Sequence, residues 1–360
     1  MKEISRIGID ISRTVFQLHA VRGDGSLVWR KRVYRSEFMA TLRDVPPCEI
    51  AMEACSGCHY WGRELEKMGH WIKLIPPQYV KPFVKRNKND AADAEAIAEA
   101  ASRPNMRTIP VKRVEQQELG QLHKARELMV KHRTALINQI KGFMHEHGIM
   151  LSCGREKLYG EYLKKLEKYG ELLGALSKQL MSQLFDQLKE AESNILKYEK
   201  EISALHEGNE LSVRLATIPG VGIMTATAVV AAVGDVTQFR SCRDFAASLG
   251  VVPRQYSSGK TERLQGVSKR GDSYIRKLLV QGGQSVVIAA AKAQGYRGDW
   301  LRALIQRRGR CKAVMAVANR NARLIWKLLI SGKSYDCNYR KGVSEERQIP
   351  ILTGLELIPA

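Results

Sequence analysis

The sequence predicts an α/β domain at the N-terminus, an all-helical middle and a mostly α-helical C-terminal domain. Three observations carry this reading. Strand-periodic apolar runs crowd the chain up to Ile75 and alternate with short helical patterns from residue 37 onward. Between residues 115 and 205 proline is absent and Glu, Lys, Leu and Gln dominate. After Leu211 a Pro-Gly-Val-Gly step precedes a run of small apolar residues, and helical patterns continue to about Ile330.

Taken in order, residues 4–11 read as a strand and Thr14 to Val21 as a second. Gly23-Asp24-Gly25 turns the chain into a third strand at 26–34. Residues 37–43 form a short helix and 49–53 a fourth strand. Residues 59–69 form a helix with Trp61, Leu65 and Met68 on one face, and Trp71 to Ile75 is a fifth strand stopped by Pro76-Pro77. Three antiparallel strands followed by alternating helix and strand is the ribonuclease-H-like order. An Asp-Ala-Ala-Asp step then opens an alanine-rich helix, and the first unit closes near residue 108.

The second unit, 109–207, is helical from Leu119 to His147, breaks between Gly148 and Gly154, and resumes. Leu188, Ala191, Ile195, Tyr198, Ile202 and Leu205 follow a heptad rhythm. Either a helical hairpin or a dimerising coiled coil satisfies that seam. His123, His132, His145 and His147 lie in this stretch as surface or seam residues. The third unit, 208–333, begins with Leu215-Ala216-Thr217-Ile218-Pro219-Gly220-Val221-Gly222 before the apolar run Thr225 to Val233. This reads as a helix-hairpin-helix, whose glycines permit a tight turn and whose N–H groups can meet a phosphate, or as a plain packed hairpin. A polar loop is expected at 253–271. Two or three helices follow, with basic faces at Arg302, Arg307, Arg308, Arg320 and Arg323, and then a polar, irregular tail at 334–360.

Composition narrows the function. In 360 residues, 58 Lys and Arg stand against 37 Asp and Glu, a net charge of +21. The excess is spread over many segments, including Lys85-Arg86-Asn87-Lys88 and Arg307-Arg308-Gly309-Arg310, which favours a long nucleic-acid path over one polybasic anchor. Seven scattered cysteines indicate a reducing compartment. The Cys55-Ser56-Gly57-Cys58 step lacks the second pair that a zinc site requires. No signal-peptide pattern opens the chain, and no apolar stretch approaches the length that spans a bilayer. The expected location is cytoplasmic, at the nucleoid of a bacterium.

Four carboxylates have the spacing of a metal-dependent nuclease core: Asp10, Glu53, Asp90 and Asp93. Asp10 sits within Arg6-Ile7-Gly8-Ile9-Asp10-Ile11, and Glu53 ends Glu49-Ile50-Ala51-Met52-Glu53. An acid on an apolar strand is costly unless compensated, and a hard divalent cation is the usual compensation where several converge. Surface charge and the preference of helix starts for acids account for Asp90 and Asp93 but not for Asp10. Strand alternation puts Gly8, Asp10 and Ser12 on one face, and i, i+3 spacing puts Asp90 and Asp93 on one helix face.

These acids, the helical middle and the C-terminal motifs together resemble one family, the DEDD transposases of the insertion-sequence-110 family, which act as RNA-guided DNA recombinases. The motifs are Ile7-Gly8-Ile9-Asp10; Met52-Glu53-Ala54 with Ser56-Gly57 and Tyr60-Trp61; Asn87-Lys88-Asn89-Asp90-Ala91-Ala92-Asp93-Ala94; and Ile218-Pro219-Gly220-Val221-Gly222. Phe245 to Pro253, Tyr256-Ser257-Ser258-Gly259 and Ser268-Lys269-Arg270-Gly271-Asp272 complete the set. The resemblance runs from Ile7 to about Gly332. It implies a RuvC-like N-terminal domain in which Asp10, Glu53, Asp90 and Asp93 bind Mg2+, and a C-terminal transposase domain with a serine nucleophile. The family's Tyr-x-Ser-Gly step places that serine at Ser258, with Ser257 its neighbour. It also implies donor and target DNA and a structured non-coding guide RNA as partners.

Around Ser258, the residues Arg254, Lys260, Arg263, Lys269 and Arg270 are placed to stabilise charge on phosphorus oxygens, and Tyr256 to pack or contact a phosphate. A serine ester conserves the energy of the strand and permits rejoining, whereas metal-activated water would cut irreversibly. An oligomer, dimer or tetramer, would unite acids and serine from two chains. Two other readings stay open: a RuvC-like structure-specific endonuclease using the acids alone, and a non-catalytic nucleic-acid-binding protein.

Overall fold

The computed structural model describes residues 3–85, 90–259, 261–290 and 296–336. The N-terminal part is a five-stranded sheet: β1 (Arg6–Asp10), β2 (Val15–Val21), β3 (Leu27–Tyr34), β4 (Glu49–Glu53) and β5 (Trp71–Ile75). Their order across the sheet is β3-β2-β1-β4-β5. The pairs β1–β2 and β2–β3 are antiparallel, and β1–β4 and β4–β5 are parallel. This is the ribonuclease-H-like order expected from the strand patterns.

Between these strands lie α1 (Phe38–Arg43) and α2 (Cys58–Lys67), and after β5 come α3 (Pro77–Val80) and α4 (Asp90–Ala101). Alternation divides the core between the two faces of the sheet. Ile7, Ile9, Phe16, Leu18, Ile50 and Met52 pack with Phe38, Trp61 and Leu65 of α1 and α2. Ala51 and Ile75 face the other way, against Val80 and the alanine-rich stripe of α4. That stripe lets α4 lie almost on the backbone of β1. A Cβ on Gly8 would stand 2.3 Å from the Ala94 carbonyl oxygen.

The middle consists of α5 (Val114–Glu146), α6 (Leu158–Tyr169) and α7 (Ala175–Glu207). α5 and α7 run antiparallel within one chain: Arg126 pairs with Glu199, while Met144 shares a core with Met181. Leu188, Ala191, Ile195 and Ile202 of the heptad seam are buried here, and Leu205 is half exposed. The seam therefore has a partner inside the chain.

The C-terminal part contains α8 (Glu210–Ala216), α9 (Ile223–Val233), α10 (Cys242–Ser248), β6 (Pro253–Ser258), β7 (Thr261–Val267), α11 (Ser273–Ala289), α12 (Tyr296–Arg308) and α13 (Arg310–Ser331). Its core joins Leu215, Val229, Phe245, Leu279, Ala322 and Ile325. The Pro-Gly-Val-Gly turn between α8 and α9 is wedged against α11: a Cβ on Gly282 would meet the Gly220 carbonyl oxygen at 1.7 Å. The Asn321 amide donates to the Pro219 carbonyl at 2.9 Å. This turn is packed as a helical hairpin.

One expectation is corrected. Residues 253–271 are not an irregular loop. They contain an antiparallel hairpin, with Ser258 opposite Thr261 and Gly259 in the left-handed region at φ 56°. All of its strand positions except Val267 are exposed, so no apolar alternation announces the strands; the signal was the Gly259-Lys260 step in the sequence between two polar runs.

Candidate nuclease-like acidic site and serine hairpin

Asp10 and Glu53 end adjacent parallel strands. Ile9 pairs with Met52, so the next residues, Asp10 and Glu53, close their strands side by side. Each shares parity with a residue beneath α4, Gly8 in β1 and Ala51 in β4, and so lies on the α4 face. Asp93, in the first turn of α4, is close enough for its charge to act on Glu53. Burial and then Asp93 push the Glu53 carboxyl above its ordinary range. Asp90 opens the same helix; its side chain lies outside the described residues.

The acids of α4 are not alike. Glu95 accepts from Arg30 at 2.7 Å and from Lys85 at 2.7 Å. The Lys85 hydrogen bond leads the causes holding its carboxyl below the usual value. Among the described residues, neither Glu53 nor Asp93 has a Lys or Arg ion pair. Carboxylates brought together without such cations are a donor set suited to a hard divalent ion. Among the described residues, no three His, Cys, Asp or Glu are already gathered closely enough to hold one. The fit therefore lies in donor chemistry and placement on one sheet end.

Cys55 borders the same site. Burial first, then Cys58, Glu53 and Asp10, raise its thiol to about 11. It is therefore a protonated, unreactive thiol at neutral pH. The described cysteines are all free. His59 accepts from the Lys112 backbone N–H at 3.2 Å and is held neutral, its pKa lowered to about 4 by burial and by Lys112 and Arg63.

The hairpin carries Ser258 at its tip, and register separates the two serines. Ser258 opposes Thr261, and Tyr256 opposes Arg263, all on one face. Ser257 opposes Glu262 and Gln255 opposes Leu264 on the other face, where the Gln255 amide donates to the Ser257 hydroxyl at 3.2 Å. Ser258 thus shares its face with an arginine and a tyrosine, and Ser257 with a glutamate. Tyr256 is 70% exposed. Arg254 occupies the irregular register at the hairpin root. Lys260 lies outside the described residues.

The root is rigid. A Cβ on Gly271 would stand 1.8 Å from the Ser248 carbonyl oxygen, and one on Gly250 2.0 Å from that of Arg270. Lys269 adopts φ 55°, rare for a residue with a side chain. The Arg276 guanidinium donates to the Leu249 carbonyl at 3.2 Å. The motif Ser268 to Asp272 therefore seats the hairpin on α10 and α11, with Lys269 and Arg270 left exposed.

Sequence reasoning missed His123. It is no surface residue: it is buried, its ring joins Tyr274 at 3.1 Å and Thr227 at 3.0 Å, and burial lowers its pKa to about 4. It ties α5 to α9 and α11. The only signal was a His on the face of α5 that also carries Leu119.

A ribonuclease-H-like sheet with acids at one end, joined to a helical part with an exposed hairpin bearing Arg254 and Arg263, is an arrangement suited to handling nucleic acid. Comparison with known proteins specifies the family. A model of the DEDD transposase of IS110 matches residues 7–149, and one of the "Transposase IS116/IS110/IS902 family" matches 212–297. The transposase for insertion sequence element IS1111A of Coxiella burnetii is 42% identical over 94% of this chain and 93% of its own length. The transposase for insertion sequence element IS1328 of Yersinia enterocolitica is 36% identical over 92% of this chain and 98% of its own. The pilin gene-inverting protein of Moraxella bovis is 25% identical over 61% of this chain and 62% of its own. The chain belongs to the IS110 family of transposases.

Proposed function

We propose that the protein cuts and rejoins DNA strands as a transposase in which Asp10, Glu53, Asp90 and Asp93 hold Mg2+ and Ser258 is the nucleophile. The observation carrying this reading is the placement of Asp10 and Glu53 at the ends of adjacent strands, one step beyond the Ile9–Met52 pair, with Asp93 acting on Glu53. Bound there, the ion would polarise a phosphate oxygen and offset charge developing at the cut. Donor and target DNA are the substrates, and a structured non-coding RNA is the guide.

The serine side rests on the hairpin register. The Ser258 hydroxyl loses its proton as its Oγ bonds to phosphorus, and the ester bond to the departing sugar oxygen breaks, leaving that strand end with a free hydroxyl. Arg263, in the next pair on the same face, and the exposed Arg254, Lys269 and Arg270, with Lys260 next to Gly259 in the sequence, neutralise the phosphate. Tyr256 contacts the strand beside them. Reversal of the step rejoins DNA without an external energy source. The name of the Moraxella relative, an inverting protein, accords with rejoining rather than simple cutting.

Ser258 belongs to an exposed hairpin, and its side chain meets none of the acids among the described residues. We infer that the acids of one chain meet the serine of another when an oligomer assembles on DNA, so that cutting awaits synapsis. Cleavage by a dilute monomer at full rate would contradict this.

The test is a covalent-adduct experiment. The chain is expressed with the non-coding DNA flanking its gene, supplied with Mg2+ and digested for mass spectrometry. A nucleotide on Ser258 is expected, retained in Ser257→Ala and lost in Ser258→Ala and Glu53→Gln. Cleavage persisting in Ser258→Ala without an adduct would establish an endonuclease acting through the acids alone.

A further inference from the structure

We propose that a strip running from the acidic site across the sheet to the edge strand, half-buried at Gln17 and exposed at Arg32 and Tyr34, is the track on which the DNA strand to be cut lies. This rests on the acidic site proposed above. The strip follows from register. Asp10 pairs with Gln17, Gln17 with Arg32, and Val15 with Tyr34. Directly paired residues share a face, so these side chains stand on the α4 face with Asp10 and Glu53. Neighbouring strands lie about 4.8 Å apart, which places the Arg32 backbone about 10 Å from that of Asp10. An extended guanidinium spans much of that gap.

Among the described residues, the other strand cations of this face are already used. Arg6 pairs with Glu49, and Arg30 with Glu95. Lys31 lies on the opposite face, over the Trp29 ring at 4.9 Å, and Arg35 stacks on Trp61 at 5.1 Å. Among the described residues, Arg32 has no ion pair. It is exposed, and Tyr34 is 60% exposed.

Cations on an edge strand also guard against sheet-to-sheet pairing, which explains the Arg30-Lys31-Arg32 run. That role gives no reason for a bare tyrosine ring on the acid side of the same strand. A cation for a phosphate and a ring for a base, set in line with clustered acids, is what binds an unpaired nucleic-acid strand. Gln17, between them and Asp10, supplies an amide that donates or accepts.

Photocrosslinking tests the track. The full chain with Mg2+ receives its element-end DNA, with 5-bromodeoxyuridine placed in turn at each thymidine around the cut. A crosslink on Tyr34 is expected from positions on one side of the cut, and it disappears in Tyr34→Ala. Arg32→Glu should slow cleavage roughly tenfold or more and flatten the salt dependence of binding by about one unit of slope. Lys31→Glu, one residue away on the other face, should stay within about twofold. If Tyr34 never crosslinks and Arg32→Glu cuts like Lys31→Glu, Arg32 is only an edge guard and the track is wrong. Loss of cutting in Glu53→Gln alongside that result would leave the acidic site standing. A Tyr34 crosslink with undiminished cutting in Glu53→Gln would keep the track and overturn the acids.

Discussion

Gly8 shows how one missing side chain sets a site. Its Cα hydrogen faces the backbone of α4, and that near-contact lets Asp93 come within electrostatic range of Glu53. Gly8→Ala forces the helix away from β1, and overpacking of this kind costs about 1–3 kcal/mol. A fall in Tm together with loss of Mg2+-dependent cleavage is the expected outcome. Glu53 makes a complementary test. Its folded pKa is raised, so the fold binds this proton more tightly than the unfolded chain does. That contribution is fully present below the unfolded value and is lost as pH rises through the folded one. Glu53→Gln should therefore stabilise the metal-free protein at neutral pH and abolish the stabilisation added by Mg2+. Thermal melts with and without Mg2+ decide both points; an unchanged Mg2+ response would remove Glu53 from the ligands.

At the scale of elements, the α5–α7 hairpin and the β6–β7 hairpin behave in opposite ways. The first is held by burial. Ile195 is 4% exposed within its seam, and Ile195→Ala should cost about 2–5 kcal/mol. Since the seam closes inside one chain, the fall in Tm should not depend on protein concentration. A concentration-dependent fall would reveal a seam between chains. The β-hairpin buries almost nothing and owes its shape to its turn and its glycine-locked root. Gly259→Val, which puts a β-branched residue at φ 56°, should disrupt the tip and abolish the Ser258 adduct while moving the Tm by less than about 1 kcal/mol equivalent. A large loss of Tm would show that the hairpin is part of the core.

Across the whole molecule, His123 is the buried polar joint between the long helix and the C-terminal bundle, beside the Gln116–Val230 and Glu127–Lys277 contacts. Its pKa is depressed to about 4, while the unfolded chain binds that proton near 6.5. The unfolded state then holds more protons between those values, so stability falls as pH drops from about 6.5 toward 4. The loss reaches about 3 kcal/mol from this residue, and His59 adds in the same direction. His123→Gln should flatten that part of the stability curve, which urea melts across the range would reveal. No helix among the described residues is long and apolar enough to cross a membrane. The charge of +21 makes binding of polyanions strongly salt-dependent.

Much of this was legible in the chain itself. The strand order was readable because each core strand alternates or runs apolar between turn residues, and a period of two cannot be mistaken for a helix over five such runs. The acids of the proposed site stood out because Ile7, Ile9 and Ile11 make Asp10 anomalous on a buried strand. The motifs alone sufficed for the family. Other features needed the folded molecule. The hairpin around Ser258 is polar on both faces, so local sequence carries no burial signal, and only pairing distinguishes Ser258 from Ser257. The heptad seam reads identically whether its partner is another chain or α5, because an apolar stripe specifies a surface to be covered and not its cover. His123, and the alignment of Gln17, Arg32 and Tyr34 with Asp10, depend on contacts between segments remote in sequence. Local periodicity determines elements and faces; which faces meet is decided only by tertiary packing.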